Sequence, residues 1–412
     1  MALGPRVEAG ASGVNNERAP RRIAFIIGVA QLGFATVLPL LPLYLTEQLD
    51  ASVKLVGVVI ATFALVETFF KTAWGGVTDR IGRKPVLITG LVLSAMAPLV
   101  MAVLRVPVLF VPLRLVDGLG SAALWPAAAA AIADTTTPDR RATGMGMLNL
   151  AFLGGLAVGP ALGLFVAGFT GQVRAGFYLS SGLMALAVLM AVLFFPRRND
   201  GSEHADAFVG YHTTVSPARL ITLVGSFRIS PILFALYLVA FVQMFGVGLL
   251  VPIAAIFAKQ VVGLSEHAIG GLFMAIVLAV AIATVPAGRL ADRIGKRRLV
   301  AVGMLLGALG MWLMSFSGRL AEMVVAGALL GASYALSVPA WLALVSEMAP
   351  PGRLGLAMGA SETAQGLGLV LGPLLGGILW DAVGPRAPFV ASAIVMTAGT
   401  GIAVAALRIR RR

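Results

Sequence analysis

Glu67, Lys71, Arg114, Asp117 and Glu362 are ionisable residues set inside long apolar runs. Charge is expensive in such surroundings, so each residue should face a partner, a cavity or a path for ions. Glu67 and Lys71 are one helical turn apart, and Arg114 and Asp117 are also spaced to share a helix face. Burial favours the neutral form of a carboxyl group, and a nearby base opposes that. Glu362 is flanked by the neutral polar residues Ser361, Thr363 and Gln365. The three carboxylates are therefore candidate proton carriers. Glu67 and Glu362 rank ahead of Asp117, which has Arg114 beside it. The bland alternatives are static ion pairs, Glu67 with Lys71 and Arg114 with Asp117, with Arg114 snorkelling outward.

A second constellation occurs twice. Gly75, Asp79, Arg80, Gly82, Arg83 and Lys84 recur in pattern as Gly288, Asp292, Arg293, Gly295, Lys296 and Arg297, at a constant offset of 213 positions. Each copy reads as a short basic loop between two apolar runs. One acid among several bases can form charge-assisted contacts that are strong yet breakable. The same cluster could instead be solvated and serve only to set topology.

The elements that must position these residues are membrane helices. Of the 412 residues, 59% are hydrophobic and 12% charged, and the mean hydropathy is +0.95. So few charges cannot clothe a soluble surface. The runs are continuous rather than alternating, which excludes a membrane β-barrel. Spans are expected over about 23–45, 55–76, 85–104, 107–131, 142–169 and up to about 195, then 231–257, 266–288, 299–316, 321–345, 355–380 and 387–407. Pro39 and Pro42 should bend or break the outer part of the first. Residues 1–21 are polar without a cleavable signal and read as a cytoplasmic tail. Two six-helix bundles, 22–195 and 229–408, are joined by a cytoplasmic linker over 196–228, and 409–412 form a basic tail. The fold class is an all-α membrane protein.

Orientation follows from charge. Of the 31 Lys and Arg, only Lys54, Arg105, Arg174, Lys259, Arg319 and Arg386 fall in one set of loops, and Arg114 lies within a span. The rest lie on the other side, so both termini are expected in the cytoplasm of a multi-pass protein of the cell membrane. The net charge of +13 is thus a topology signal and no nucleic-acid partner is expected. The 213 offset extends further: Pro39 with Pro252, Gly57 with Gly270, Gly118 with Gly331, Pro126 with Pro339, Asp134 with Glu347, and Gly159-Pro160 with Gly372-Pro373. The halves are therefore parallel repeats about an axis along the membrane normal. Gly155, Gly159 and Gly163 form a smooth stripe for close helix packing, and Pro160 can bend the helix. Close packing between helix 5 and its counterpart near helix 8 is expected to seal against proton leak. There is no cysteine, and His204, His212 and His267 lie in the linker and an outer loop, so no metal site is expected. No nucleotide-binding loop or nucleophile–base set is present, so neither a cofactor nor enzyme chemistry is expected.

Over about 22–408 the chain resembles the major facilitator superfamily of transporters, and within it the twelve-helix drug:proton antiporters. The likeness rests on both basic motifs, on Arg114 with Gly118 and Gly120, on Gly146, Gly155, Gly159, Pro160 and Gly163, and on Gly359, Gly368, Gly372, Pro373, Gly376 and Gly377. Leu164 stands where the motif has a second glycine, and helix 1 carries Gln31 and no acid. The resemblance implies two six-helix repeats around a central cavity. It implies a latch at Gly75, Asp79, Arg80, Gly82, Arg83, Lys84, Gly288, Asp292, Arg293 and Gly295, closing the cytoplasmic side when the cavity opens outward. It implies proton coupling, for which Glu67, Glu362, Asp117 and Arg114 are the candidates. Helices 1, 4, 7 and 10 should line the cavity with Gln31, Tyr44, Trp125, Tyr237, Gln243, Phe245, Tyr334 and Trp341. Asn149 and Glu362, matched by the offset, are further lining candidates. This mainly apolar, aromatic set suits a lipophilic or cationic solute exported from a monomer in exchange for protons. An importer or facilitator, or a lipid or glycolipid flippase, would use the same fold.

Overall fold

The computed structural model describes residues 13–196, 230–350 and 353–408. Twelve long helices run through them: α1 (Gly13–Leu43), α2 (Val53–Ile81), α3 (Arg83–Val103), α4 (Phe110–Thr135), α5 (Pro138–Thr170), α6 (Val173–Phe194), α7 (Pro231–Leu250), α8 (Glu266–Ile294), α9 (Lys296–Phe316), α10 (Leu320–Met348), α11 (Leu354–Ala382) and α12 (Ala387–Arg408). Eleven are long and apolar enough to cross a membrane, and the described apolar stretch of α8 is Glu266–Val280. Large apolar side chains such as Leu150, Phe169 and Leu193 point outward, as a lipid-facing surface requires. The start of α1 and the end of α12 share one face of the bundle, here the termini face. The opposite one is the far face.

Three sequence expectations are corrected. First, α1 begins at Gly13 and so takes in part of the tail assigned to 1–21. Hydropathy registers only the apolar part of a helix, and a polar first turn can project beyond it. Second, Pro39 and Pro42 do not break α1, which runs to Leu43 and continues as a π-helical turn, Tyr44–Gln48. Its partner α7 stops at Leu250 and resumes as Ala254–Ile256 and a second π-helical turn, Phe257–Val261. Third, the basic motif is not a loop. Asp79 and Arg80 lie within α2, and Gly82 alone separates α2 from α3. Gly82 has φ 97° and Gly295, between α8 and α9, has φ 87°. Glycine adopts this region at little cost, which is why each copy needs one at that point. Most of the linker 196–228, including His204 and His212, and residues 409–412 lie outside the described residues.

The repeat holds in the packing. A methyl group on Gly155 would strike the Gly28 carbonyl and Leu32, and one on Gly159 would strike Ala35, and one on Gly163 the Thr36 carbonyl. At the 213 offset, Gly368 meets Phe241 and Phe245, Gly372 meets Gly248, and Gly376 meets Leu249. The glycine stripe of α5 therefore seats α1, and that of α11 seats α7. Without side chains in the seam the backbones come close enough for dispersion to hold them, since lipid supplies no hydrophobic drive. The halves meet along two other seams, α2 with α11 and α5 with α8.

Candidate functional site

α4 carries Arg114 and Asp117 three residues apart, and their side chains close on each other with Arg114 Nη1 donating to Asp117 Oδ2 at 2.5 Å. Both are only 3% exposed. The guanidinium carbon of Arg114 lies 4.0 Å from the centroid of the Phe63 ring in α2. Phe63 in turn stacks on Phe34 of α1 at 5.2 Å. One turn beyond Phe63 on α2, Glu67 accepts from Lys71 at 3.0 Å. Glu67 lies near enough to act electrostatically on both Arg114 and Asp117. The four charges form one cluster in the N-terminal half, balanced overall, with an aromatic wall. Its outer pair is partly exposed and its inner pair is buried. Arg114 Nε is buried and has no hydrogen-bond partner among the described residues.

The C-terminal half lacks this cluster. At the repeat offset Glu67, Lys71, Arg114 and Asp117 become Val280, Thr284, Gly327 and Leu330. Where Arg114 covers Phe63, Ile276 fills the space over Gly327. Glu362 lies on α11 with an exposed side chain, one turn from Gly366, which meets Thr68 of α2, and no described contact joins it to Glu67 or Asp117. The next turn back, Thr363 donates to the Gly359 carbonyl at 2.9 Å.

The cavity candidates divide. Asn149 and Tyr334 keep exposed surface, and Trp125 and Phe245 are half-buried. Trp125 meets Phe152 edge-on at 5.4 Å and Phe245 stacks on Phe241 at 5.6 Å. Gln243 and Trp341 are instead spent between helices. Gln243 donates to Ser337 at 2.8 Å and Trp341 Nε1 to the Leu236 carbonyl at 3.0 Å. Gln31 is buried against Gly155. Tyr44 is fully buried at the far-face end, where it donates to the Leu104 carbonyl at 3.0 Å and packs on Phe110 and Phe177. Sequence position put all of these except Asn149, which is on helix 5, on lining helices, but the face each presents was not legible without the fold. Tyr237 is 8% exposed and its hydroxyl has no partner among the described residues.

The basic motif forms a network inside its own half. Arg83 lies 3.4 Å from Asp79 and donates to Asp134, at the end of α4, at 2.8 Å. Lys84 donates to the Val192 carbonyl at 2.8 Å. The second copy repeats the link as Lys296 with Glu347, at the end of α10. Arg80 is exposed. The side chains at Gly288, Asp292 and Arg293 lie outside the described residues.

The two faces differ. At the far face a methyl group on Gly57 would run into the Pro373 carbonyl, one on Gly377 into the Val53 carbonyl, and one on Gly168 into the His267 ring. At the termini face Gly75, Gly146 and Gly359 have open space beside them. The halves are thus joined at the far face.

The family model described as Major Facilitator Superfamily matches residues 23–245 and 236–412. Multidrug resistance protein 2 of Bacillus subtilis is 26% identical over 379 residues, covering 91% of this chain and 92% of that protein. The class G tetracycline resistance protein of Vibrio anguillarum is 29% identical, covering 85% and 87%. Among solved structures, a bacterial homolog of the human lysosomal transporter Spinster, in an inward-facing and occupied conformation, superposes with a TM-score of 0.77 at 14% identity, covering 97% and 98%.

Proposed function

This chain is a member of the Major Facilitator Superfamily, a multi-pass membrane transporter rather than an enzyme, and on that premise we propose that it exports lipophilic small molecules, cationic ones included, in exchange for protons. The carrying observation is the cluster Glu67, Lys71, Arg114 and Asp117, confined to one of two otherwise matching halves. Repeats that share their packing have no structural need for charge on one side only. A carboxylate set within the span, whose protonation shifts with burial and with its distance from a base, is what a proton carrier requires. The resistance proteins among the relatives support export. The aromatic character of Trp125, Phe245 and Tyr334, and the hydroxyl of Tyr237, without a partner among the described residues, support a lipophilic solute with few polar groups.

The domain limits 22–195 and 229–408, the cytoplasmic termini, a cell-membrane location and a monomeric state complete this reading. With that orientation the structure corresponds to a state open to the cytoplasm. The motif around Asp79 is then a latch seen disengaged, its acid and bases turned on each other, and the space beside Gly75 is room for the other half when it closes.

The experiment is uptake into inverted vesicles driven by an imposed pH gradient, run beside substrate counterflow without one. Glu67→Gln and Glu362→Gln should each be tested, and a coupling residue will lose driven uptake, by at least about tenfold, while counterflow persists. Full driven uptake in both variants would show that neither carries the proton and would favour a facilitator.

A further inference from the structure

Lys259 lies in the π-helical turn Phe257–Val261 of the C-terminal half. Its Nζ donates to Glu266 Oε1 at 2.6 Å, at the start of α8 in the same half. It also donates to Glu47 Oε2 at 2.7 Å, in the matching turn Tyr44–Gln48 of the N-terminal half. All three side chains are about three-quarters buried, at 25%, 25% and 26% exposed. The other described ion pairs, at Glu67, Asp79, Arg83, Arg114 and Lys296, each stay within one half. Two neighbouring contacts also cross between halves. The Lys54 backbone N–H donates to Asp381 Oδ2 at 2.8 Å, and the His267 ring lies 5.8 Å from that of Phe165. At the repeat offset Lys259 corresponds to Thr46 and Glu47 to Gln260. The bridge is therefore built once, unlike the duplicated network at the other face.

We propose that Lys259 is the clasp of the far-face gate, bridging Glu47 to Glu266 while the termini face is open and releasing Glu47 when the far face opens. Glu266 is a positioning residue: it holds the ammonium at the point from which Glu47 is reached. One lysine between two carboxylates gives the clasp a sign. Its removal leaves two like charges facing each other across the seam, so loss of Lys259 opens the gate by repulsion as well as by lost attraction. The proposal rests on the part of the reading above in which the cytoplasmic side opens and closes, and not on protons or on the identity of the solute.

The chain has no cysteine, so spin labels can be placed without background at Gln172→Cys and Arg386→Cys. Both residues are exposed, at far-face turns of opposite halves. Distances between them are measured by pulsed electron resonance at neutral pH, without solute or gradient. Lys259→Gln should raise the long-distance population about two- to fivefold, the range of a partly exposed pair. Glu47→Lys should raise it more than Glu47→Gln, and Lys259→Arg should leave it near the parent. In the parent protein, added salt should shift the same population by screening. A role in folding alone would not be ordered by charge. Unchanged distances in Lys259→Gln and Glu47→Gln would overturn the clasp and leave proton coupling untouched. Loss of coupling in vesicles would leave the distances, and the clasp, as they are.

Discussion

Arg114 and Asp117 show what a single pair decides. Their contact is short, both are buried, and the arginine also rests on Phe63. Removing Arg114 alone strands a carboxylate in low dielectric, which costs on the order of 3–5 kcal/mol. Arg114→Gln should therefore lower the unfolding temperature and the yield, and its loss of transport will be partly loss of fold. The double variant Arg114→Gln with Asp117→Asn removes the charge and its partner together. It should recover most of the stability and still fail to transport. Thermal unfolding in detergent beside vesicle transport separates the two outcomes, and normal transport in the double variant would make the pair structural. The helical spacing made the pairing of Arg114 with Asp117 legible, because residues three apart share a face. The approach of Glu67 to them was not legible, since it depends on the crossing of α2 and α4.

At the scale of the helix the glycine stripes set the distances. Gly159 lies against Ala35 and the Leu32 carbonyl, so α1 and α5 touch backbone to backbone. Gly159→Val should destabilise by about 1–3 kcal/mol through overpacking, and Gly372→Val, against Gly248 and Leu249, should do the same. Gly75 has open space beside it, and Gly75→Ala should leave thermal stability nearly unchanged. If the opposite half occupies that space in the alternate state, the same substitution should slow transport several-fold. Equal losses of stability at Gly75 and Gly159 would contradict this division. The stripe itself is plain in the sequence, since a spacing of four keeps one face of a helix clear. Which helix it faces is not: the stripe seats α1, while α5 also packs on α8 through Ala161 and Leu164.

For the whole molecule the two faces act in opposition. Asp79→Asn weakens the network that the termini face would use to close. Transport should fall severely at near-normal expression, and thiol labelling of a cysteine placed at that mouth should rise. An unchanged labelling rate together with an unchanged transport rate would remove the latch. Asp292→Asn should be milder, because the halves have specialised. At the far face, burial works against the Lys259 charge, but the hydrogen bonds and charges of Glu266 and Glu47 outweigh it and hold its pKa above the ordinary lysine value. A raised folded pKa gives a contribution that is complete below the ordinary value of about 10.4 and is lost only as pH climbs through the raised one. The far-face distances should therefore not change between pH 7 and 9. A shift in that window would mean that another group governs the gate.

The sequence by itself determined the membrane class, the twelve helices and the duplication, because apolar run length and a constant offset are one-dimensional properties. It also determined which residues are costly to bury, hence Glu67, Arg114, Asp117 and Glu362. Residue-for-residue agreement in packing, Gly155 on Gly28 and Leu32 and Gly368 on Phe241 and Phe245, follows from that duplication. Only the tertiary structure decided what faces what. It put Gln243 and Trp341 into bonds between helices and gathered four charges into one cluster. It also made Lys259, a lone base in a sparsely charged loop, the bridge between the halves. Glu47 and Lys259 are far apart along the chain, and no periodicity reports on a contact made between the two halves.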